Sequence, residues 1–462
     1  MTNITTQESL KLAAALPGSK GLVRDGSDIY QPVHYLDEEA TGPIDATNRV
    51  WKRLDLKADS GDIRGFVSEA GWEFANQESY RNFLFQLRGS LPNVKGSSKT
   101  LLVRTEAGLK ELNQDGDLVD PDGDFRKNYI SVMLNNDEVV VQEVFDVFTD
   151  WLGGEEVAHS LLHHLATSLA PGWSPAKYVI LIGDGSNGKS ILLAMLEALL
   201  GKVNVSRASR QAIAAGRPLI AGLNHSLINI IGDGSSERIT DSAHEKALTA
   251  GESIWIEKKF ENDPIEVRTS ALFIEALNKE PSNRENSFAM DRRLVRFAFN
   301  KRYPMNEAFK KQMLTEEYLG AFLRLLIDHY IRPEEAAVKL AQTEESARLQ
   351  AEHKLTSSRV LQFLTEQQLP LLQDLARGGR RQQLESPLAT AYHVWLSNKK
   401  YNFSVTDARA ELRDVFEKRK TTRGPNKEID YNYVGLKETM VRDIELLLKQ
   451  LGEESDELMV DD

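Results

Sequence analysis

The sequence predicts an α/β fold: a parallel sheet covered by helices, with a phosphate-binding turn where one strand runs into a helix. Three observations predict it. Strands and helices alternate from Lys177 to Glu280. The strands are short, apolar runs, Val179–Ile182, Leu227–Ile231, Ala271–Ile274 and, further on, Leu294–Phe299, as expected of strands buried on both faces. Between the first strand and a helix at Ser190–Leu200 stands Gly183-Asp184-Gly185-Ser186-Asn187-Gly188-Lys189-Ser190, which fits G-x-x-x-x-G-K-[ST].

The bulk numbers bound the rest. A chain of 462 residues exceeds one ordinary core and implies two to four domains. With 41% hydrophobic and 27% charged residues it has a globular composition. No run of 18 apolar residues is present, so no membrane span is expected. Met1–Leu16 does not read as a secretion signal. The absence of cysteine excludes disulfides, Cys-ligated zinc and thiol catalysis. It fits an intracellular, cytoplasmic protein, in a host's cytoplasm if the source is viral. A net charge of −12 argues against a chain that coats nucleic acid with its whole surface, but not against a ring meeting DNA through a narrow basic pore. Eight acidic and two basic residues between Arg442 and Asp462 give that tail −6 of the total.

Along the chain, residues 1–20 show weak periodicity and read as a short arm or disorder. Gly21–Asn136 reads as short strands and turns, punctuated at Asp25-Gly26, Gly42-Pro43, Asp115-Gly116 and Asp122-Gly123. Asn136–Gly172 reads as helical, with Val139, Val140, Val144, Phe145, Phe148, Trp151 and Leu152, then Leu161, Leu162, Leu165 and Leu169, at helical spacing. Gly201 stops the helix after the phosphate loop. Glu307–Gln350 reads as almost wholly helical, interrupted near Arg332-Pro333. The Arg-rich segment Ala376–Leu384 precedes Pro387–Leu436, read as three helix-like segments, a Gly/Pro turn and a strand at Tyr431–Val434. The domains expected are 1–136 (accessory), 137–176 (helical), 177–350 (phosphate-loop), 351–440 (winged-helix-like) and 441–462 (acidic tail).

The loop's chemistry follows from its residues. Glycines let the backbone curl so that successive N–H groups point at phosphate oxygens, and the next helix adds its positive end. Lys189 reaches the β- and γ-phosphates, and the Ser190 hydroxyl ligates Mg²⁺. Phosphoryl transfer also needs a metal-side acid, a group placing the attacking water and further positive charge. Asp233 ends the strand Leu227–Ile231-Gly232, 44 residues after Lys189 (233 − 189), where it can hold the Mg²⁺ hydration shell. Glu237 is a candidate for polarising water, or simply a helix cap. Asn278 ends a strand at the same edge and can hydrogen-bond the γ-phosphate or the water. Arg292-Arg293 precedes the last strand. Such a pair is a solvated charge or, in a ring, a finger into the neighbouring site.

The set GDGSNGKSILL, LINIIGD, EKALTAGESIWIEKKF, ALNKEP and DRRLVRF resembles a superfamily 3 helicase, most closely the phage and plasmid primase–helicase group related to the poxvirus primase–helicase. The resemblance is specific over Lys177–Arg302, and weaker over Leu101–Ala176, which resembles the helical collar of that group. It implies an AAA+ core, a hexameric homo-oligomeric ring, ATP and Mg²⁺ as cofactors, 3′→5′ movement on single-stranded or forked DNA, and a role in phage or plasmid DNA replication beside a separate primase or other replication proteins. On this resemblance Lys189 and Ser190 carry the first motif, Asp233 the second, Lys246–Glu252 the third and Asn278 the fourth, and Arg293 rather than Arg292 is the finger. Asp233 is followed by Gly234 where relatives often have a second acid, which leaves the base open.

Ile254–Phe260 alternates, turns at Glu261–Pro264 and returns through Ile265–Ser270, a hairpin pattern. The resemblance places it in the pore, where Lys258, Lys259 and Phe260 would contact DNA. Lys399, Lys400, Lys418, Arg419, Lys420, Arg423 and Lys427, interleaved with aromatics, are a second candidate DNA surface or a solvated cap. The rival readings are an AAA+ initiator, a helicase loader or another DNA-dependent ATPase, a fused primase, and an ATP-dependent scaffold. The carboxylates Asp115, Asp117, Asp120, Asp122 and Asp124 read as loop acids rather than a polymerase site.

Overall fold

Tyr178–Ile182, Leu272–Leu277 and Leu294–Ala298 are almost entirely apolar and are buried along nearly their whole length. Strands of that kind need cover on both faces. A computed structural model gives it to them. It describes residues 2–25, 28–34, 49–56, 61–94, 100–122, 124–232, 242–257, 264–278, 292–367, 383–401, 404–423 and 428–436. Five strands form one parallel sheet in the order Val205–Ser206, Ile228–Ile231, Leu272–Leu277, Tyr178–Ile182, Leu294–Ala298. The strand leading into the phosphate loop is therefore internal, paired with Leu272–Leu277 on one side and Leu294–Ala298 on the other.

One face of this sheet shares its core with the helix Lys189–Leu200, the helices Glu138–Leu152 and Glu155–Ala166, the helix Glu316–Asp328 and the strands Leu101–Thr105 and Tyr129–Met133. The other face is covered by Ala208–Leu223, Leu248 and the hairpin residues Ile254, Ile256 and Val267. Four strands, ordered Leu118–Val119, Gly108–Leu112, Leu101–Thr105, Tyr129–Met133, form a second sheet. Its strands contribute Leu101, Val103, Leu112, Ile130 and Val132 to the first of those cores.

Three segments differ from the sequence reading. Residues 1–20, read as an arm, contain the helix Thr6–Lys20. Thr5 and Glu8 close a capping box, and Ala13 and Leu16 are buried, so one good cap outweighs a weak periodic signal. Gly21–Asn136, read as strands, also holds the helices Asp62–Glu69 and Gln77–Ser90. The second buries Tyr80, Phe83, Leu84 and Leu87 behind an Asn76 cap, a helical spacing hidden among turn signals. Within Pro387–Leu436, read as three helix-like segments before a strand, the structure has two helices, Glu385–Asn398 and Val405–Val415, and a strand Phe416–Arg423 that pairs with Glu428–Leu436. The short sheet-edge strand Val205–Ser206 also went unread.

Candidate nucleotide site

The sequence turns sharply after Ile182, and the structure leaves no room for a side chain at two of the turn's three glycines. A Cβ at Gly183 would lie 2.2 Å from the Asn187 amide nitrogen and 2.4 Å from the Phe299 carbonyl oxygen, so no larger residue fits. Gly188 has φ +96°, and a Cβ there would lie 2.6 Å from the Trp151 indole. Asn187 is 3% exposed. Its side-chain amide donates to Phe299 O at 2.9 Å and its Oδ1 accepts from Lys189 Nζ at 3.1 Å. Lys189 Nζ also donates to Gly183 O, curling the lysine back over its own loop. The backbone N–H of Gly183 donates to Leu277 O at 3.1 Å, and that of Tyr303 to Ser186 O at 2.7 Å. The loop is thus held at the neighbouring strand and at the segment after the last strand. The helix Lys189–Leu200 starts at Gly188 with no side-chain cap, so its positive end faces the turn.

A cavity of about 640 Å³ opens at this turn. Gly185–Ile191 line one side, and Gly232, Ala276 and Asn278 line the sheet edge. Asp146, Val147, Asp150 and Trp151, from the helix Glu138–Leu152, and Tyr303–Glu307 with Phe309 and Lys310 complete it. Here the structure adds what sequence reasoning missed: the helix before the sheet and the segment after it wall the same pocket. Asp150 accepts from Lys301 at 2.5 Å and from the Tyr303 hydroxyl at 2.7 Å. Those two hydrogen bonds hold its carboxyl below the usual range, Lys301 contributing most. The exposed pair Arg302–Asp184, at 3.3 Å, borders the loop.

Of the residues named from sequence, the pocket collects Gly185, Ser186, Asn187, Gly188, Lys189, Ser190 and Asn278. Gly232, the residue before Asp233, lines it too. Asp233 and Glu237 lie outside the described residues, as do Lys258, Lys259 and Phe260. Arg293 is at the other end of the sheet. Its carbonyl accepts from Tyr178 N at 2.8 Å, at the start of the strand whose far end is the loop. Five strand residues, about 16 Å at ~3.3 Å each, separate it from its own phosphate site. Arg293 is 7% exposed, and that burial followed by the charge of Arg292 lowers its pKa. Arg292 is exposed at the same edge.

The hairpin read from alternation is present: Ile254–Ile256 pairs antiparallel with Ile265–Val267. Ile254 and Ile256 are buried, whereas Trp255, between them, is 62% exposed. Period-two alternation could have singled out this tryptophan. The acids of 115–124 are loop acids in the structure also: Asp120 pairs with Lys110 at 2.6 Å and Asp122 with Arg126 at 3.0 Å. Among the described residues no group of three or more His, Cys, Asp or Glu is placed to hold a metal ion, and no helix is long and apolar enough to cross a membrane.

A family model described as a family of unknown function, DUF5906, matches residues 181–293, from the loop strand to Arg293. No curated protein matches the chain. Among solved structures, an apo form of the NrS-1 C-terminal region aligns at TM-score 0.46 and 13% identity, covering 78% of this chain and 91% of that one. A second apo form, of residues 305–718, aligns at 0.44 and 13%, covering 92% and 100%. A third aligns at 0.42 and 12%, covering 93% and 100%. At that identity the likeness is remote.

Proposed function

We propose that this chain is a ring-forming, ATP-hydrolysing motor that moves on single-stranded or forked DNA during phage or plasmid replication, with an AAA+ core of the superfamily 3 type. The observation that carries the reading is the pocket in which Gly185–Ser190, Asn278 and Gly232 meet. Three elements separated by dozens of residues converge where phosphoryl transfer needs a phosphate cradle, a water-placing amide and a metal-side acid. Supporting it, the sheet counted in chain order runs 5-1-4-3-2, which makes the loop strand internal, between the fourth strand and the last. A ligand site beyond the carboxyl ends of the strands, where the chain reverses its direction of winding, is also where open parallel sheets place ligands.

In this reading the loop N–H groups and Lys189 bind the β- and γ-phosphates, and Lys189 exchanges its contacts to Gly183 O and Asn187 Oδ1 for phosphate oxygens. Asn278 orients water. Ser190, exposed on the first helical turn and lining the pocket, and Asp233 would hold Mg²⁺, whose charge neutralises the β,γ-oxygens when bound. The adenosine portion takes the space between Trp151 and Tyr303–Phe309. Arg293 lies a strand's length from its own loop, and in this reading it serves a neighbour's site in an oligomer. The hairpin meets DNA through Lys258, Lys259 and Phe260.

The test is ATP hydrolysis by the purified chain with Mg²⁺, with and without single-stranded DNA, beside strand displacement on a fork. Lys189→Ala should lower turnover by at least ~10²–10³, because charge placed at the transferring phosphoryl is the main catalytic contribution. Hydrolysis unchanged by Lys189→Ala would remove the basis for this reading.

A further inference from the structure

Behind the nucleotide site, inside the sheet's second covering layer, lies a cluster that the chemistry above does not use. Arg210, on the helix Arg210–Ala214, is 3% exposed. Its guanidinium meets Glu245 with two hydrogen bonds, Nε to Oε1 at 3.0 Å and Nη2 to Oε2 at 3.2 Å. Nη1 lies 3.8 Å from Glu275 Oε2. The same Glu275 oxygen accepts from the Tyr178 hydroxyl at 3.0 Å, and the guanidinium stands 5.5 Å from the Tyr178 ring centroid. Glu245 is 1% exposed, Glu275 2% and Tyr178 0%.

Stability alone is a poor account of such a cluster. Taking ions out of water costs as much as their attraction returns, and packed apolar side chains of similar size do as well or better. Buried ionic groups have their best-attested use in fixing one arrangement over another. The placement says which arrangement. Tyr178 begins the strand that ends in the phosphate loop. Glu275 sits three residues before Asn278 (278 − 275), on the strand whose Leu277 carbonyl holds Gly183 N. Glu245 sits on the helix Ala243–Thr249, which leads directly into the hairpin strand Ile254–Ile256. One guanidinium therefore touches both strands that frame the nucleotide and the helix that carries the hairpin.

We infer that Arg210 is a positioning residue that couples nucleotide occupancy to the hairpin: a shift between the strands of Tyr178 and Glu275 is passed through its guanidinium to Glu245. A bidentate pair can be made or broken, and coupling between sites requires an element with two such arrangements. This rests on the motor reading above. It goes beyond it by naming the route between two sites.

The experiment uses the full chain, Mg²⁺-ATP and an oligo(dT) strand. Glu245→Gln keeps a hydrogen-bond acceptor for Arg210 and removes the charge. The pair Arg210→Met with Glu245→Met removes the ionic link while keeping volume. Both should melt cooperatively and hydrolyse ATP without DNA within about threefold of the native chain. Stimulation by oligo(dT) should fall about tenfold, within the ~5–150-fold span of measured couplings. Native-like stimulation in either folded variant overturns the inference, and so does failure of both to fold, which would make the cluster a structural keystone. Absence of ATP hydrolysis in the native chain sinks the motor reading itself, and this inference with it.

Discussion

Asn187 ties the loop after Ile182 both to the segment after the last strand and to its own lysine. Its amide nitrogen holds Phe299 O at 2.9 Å while its oxygen restrains Lys189 at 3.1 Å, all in a buried setting. Asn187→Ala would strand the Phe299 carbonyl and release the lysine. An orphaned buried acceptor costs ~1–3 kcal/mol, so thermal melting should fall by several degrees and ATP should bind more weakly by calorimetry. An unshifted melt with native ATP affinity would show that the loop keeps its curl without this amide. Gly188 poses the complementary test. Its Cβ would meet Trp151 at 2.6 Å and its φ is +96°, so Gly188→Ala should fail to bind nucleotide, and trimming Trp151 should restore only part of the loss because the backbone strain remains.

At the scale of elements, the hairpin has one buried and one outward face, and Trp255 is the large outward side chain on its described part. An exposed indole on a strand followed by Lys258 and Lys259 is suited to stack on an unpaired base. Trp255→Ala should weaken oligo(dT) binding by ~1–3 kcal/mol and leave the salt dependence untouched. Lys258→Ala should instead lower the slope of log K against log salt by about one unit. Equal effects of both on the salt slope would contradict stacking. This division also shows how far the sequence could be read. The loop, Asn278 and the hairpin were legible because each rests on a local pattern: fixed glycine spacing, a strand-ending amide, period-two alternation. The wall formed by Trp151 and Tyr303 was not, since it joins residues some 150 positions apart (303 − 151 = 152) and nothing local marks the pairing. The cluster of Arg210, Glu245 and Glu275 was invisible for the same reason, and a lone Glu inside the apolar run Leu272–Leu277 was its one local trace. The helix Gln77–Ser90 was legible and missed, because turn residues on both sides outweighed its spacing of Tyr80, Phe83, Leu84 and Leu87.

At the scale of the whole molecule, two features bear on the proposed motor. The first is that Arg292, exposed, and Arg293, buried, stand at the end of the sheet away from their own loop, so a finger role under the proposed motor would be played between copies. Arg293→Ala should leave ATP affinity near native and cut turnover by ~10³ or more, with Arg292→Ala losing less than about tenfold. The reverse ranking would assign the role to Arg292, the exposed member. The second is the common core that joins the helices Glu138–Leu152 and Glu155–Ala166, the sheet and the helix Glu316–Asp328. Histidines are sealed into its edge. His164, fully buried against Phe297, is pushed down to about 4 by loss of hydration, and His329 likewise to about 4. His163 is lowered as well, again by burial first. Unfolded, each takes a proton near pH ~6.5, whereas folded His164 and His329 stay neutral until about 4. Between those values the unfolded state binds more protons, so stability rises with pH through this window and is lost as pH falls. Above ~6.5 both states are neutral and the effect vanishes. Each such group contributes a slope of up to about 1.4 kcal/mol per pH unit. Urea unfolding measured from pH 4.5 to 7.5 should therefore steepen below ~6.5, and His164→Leu should reduce that slope by about one proton. If the native and variant curves run parallel across the window, His164 is not the group that makes the shared core acid-sensitive.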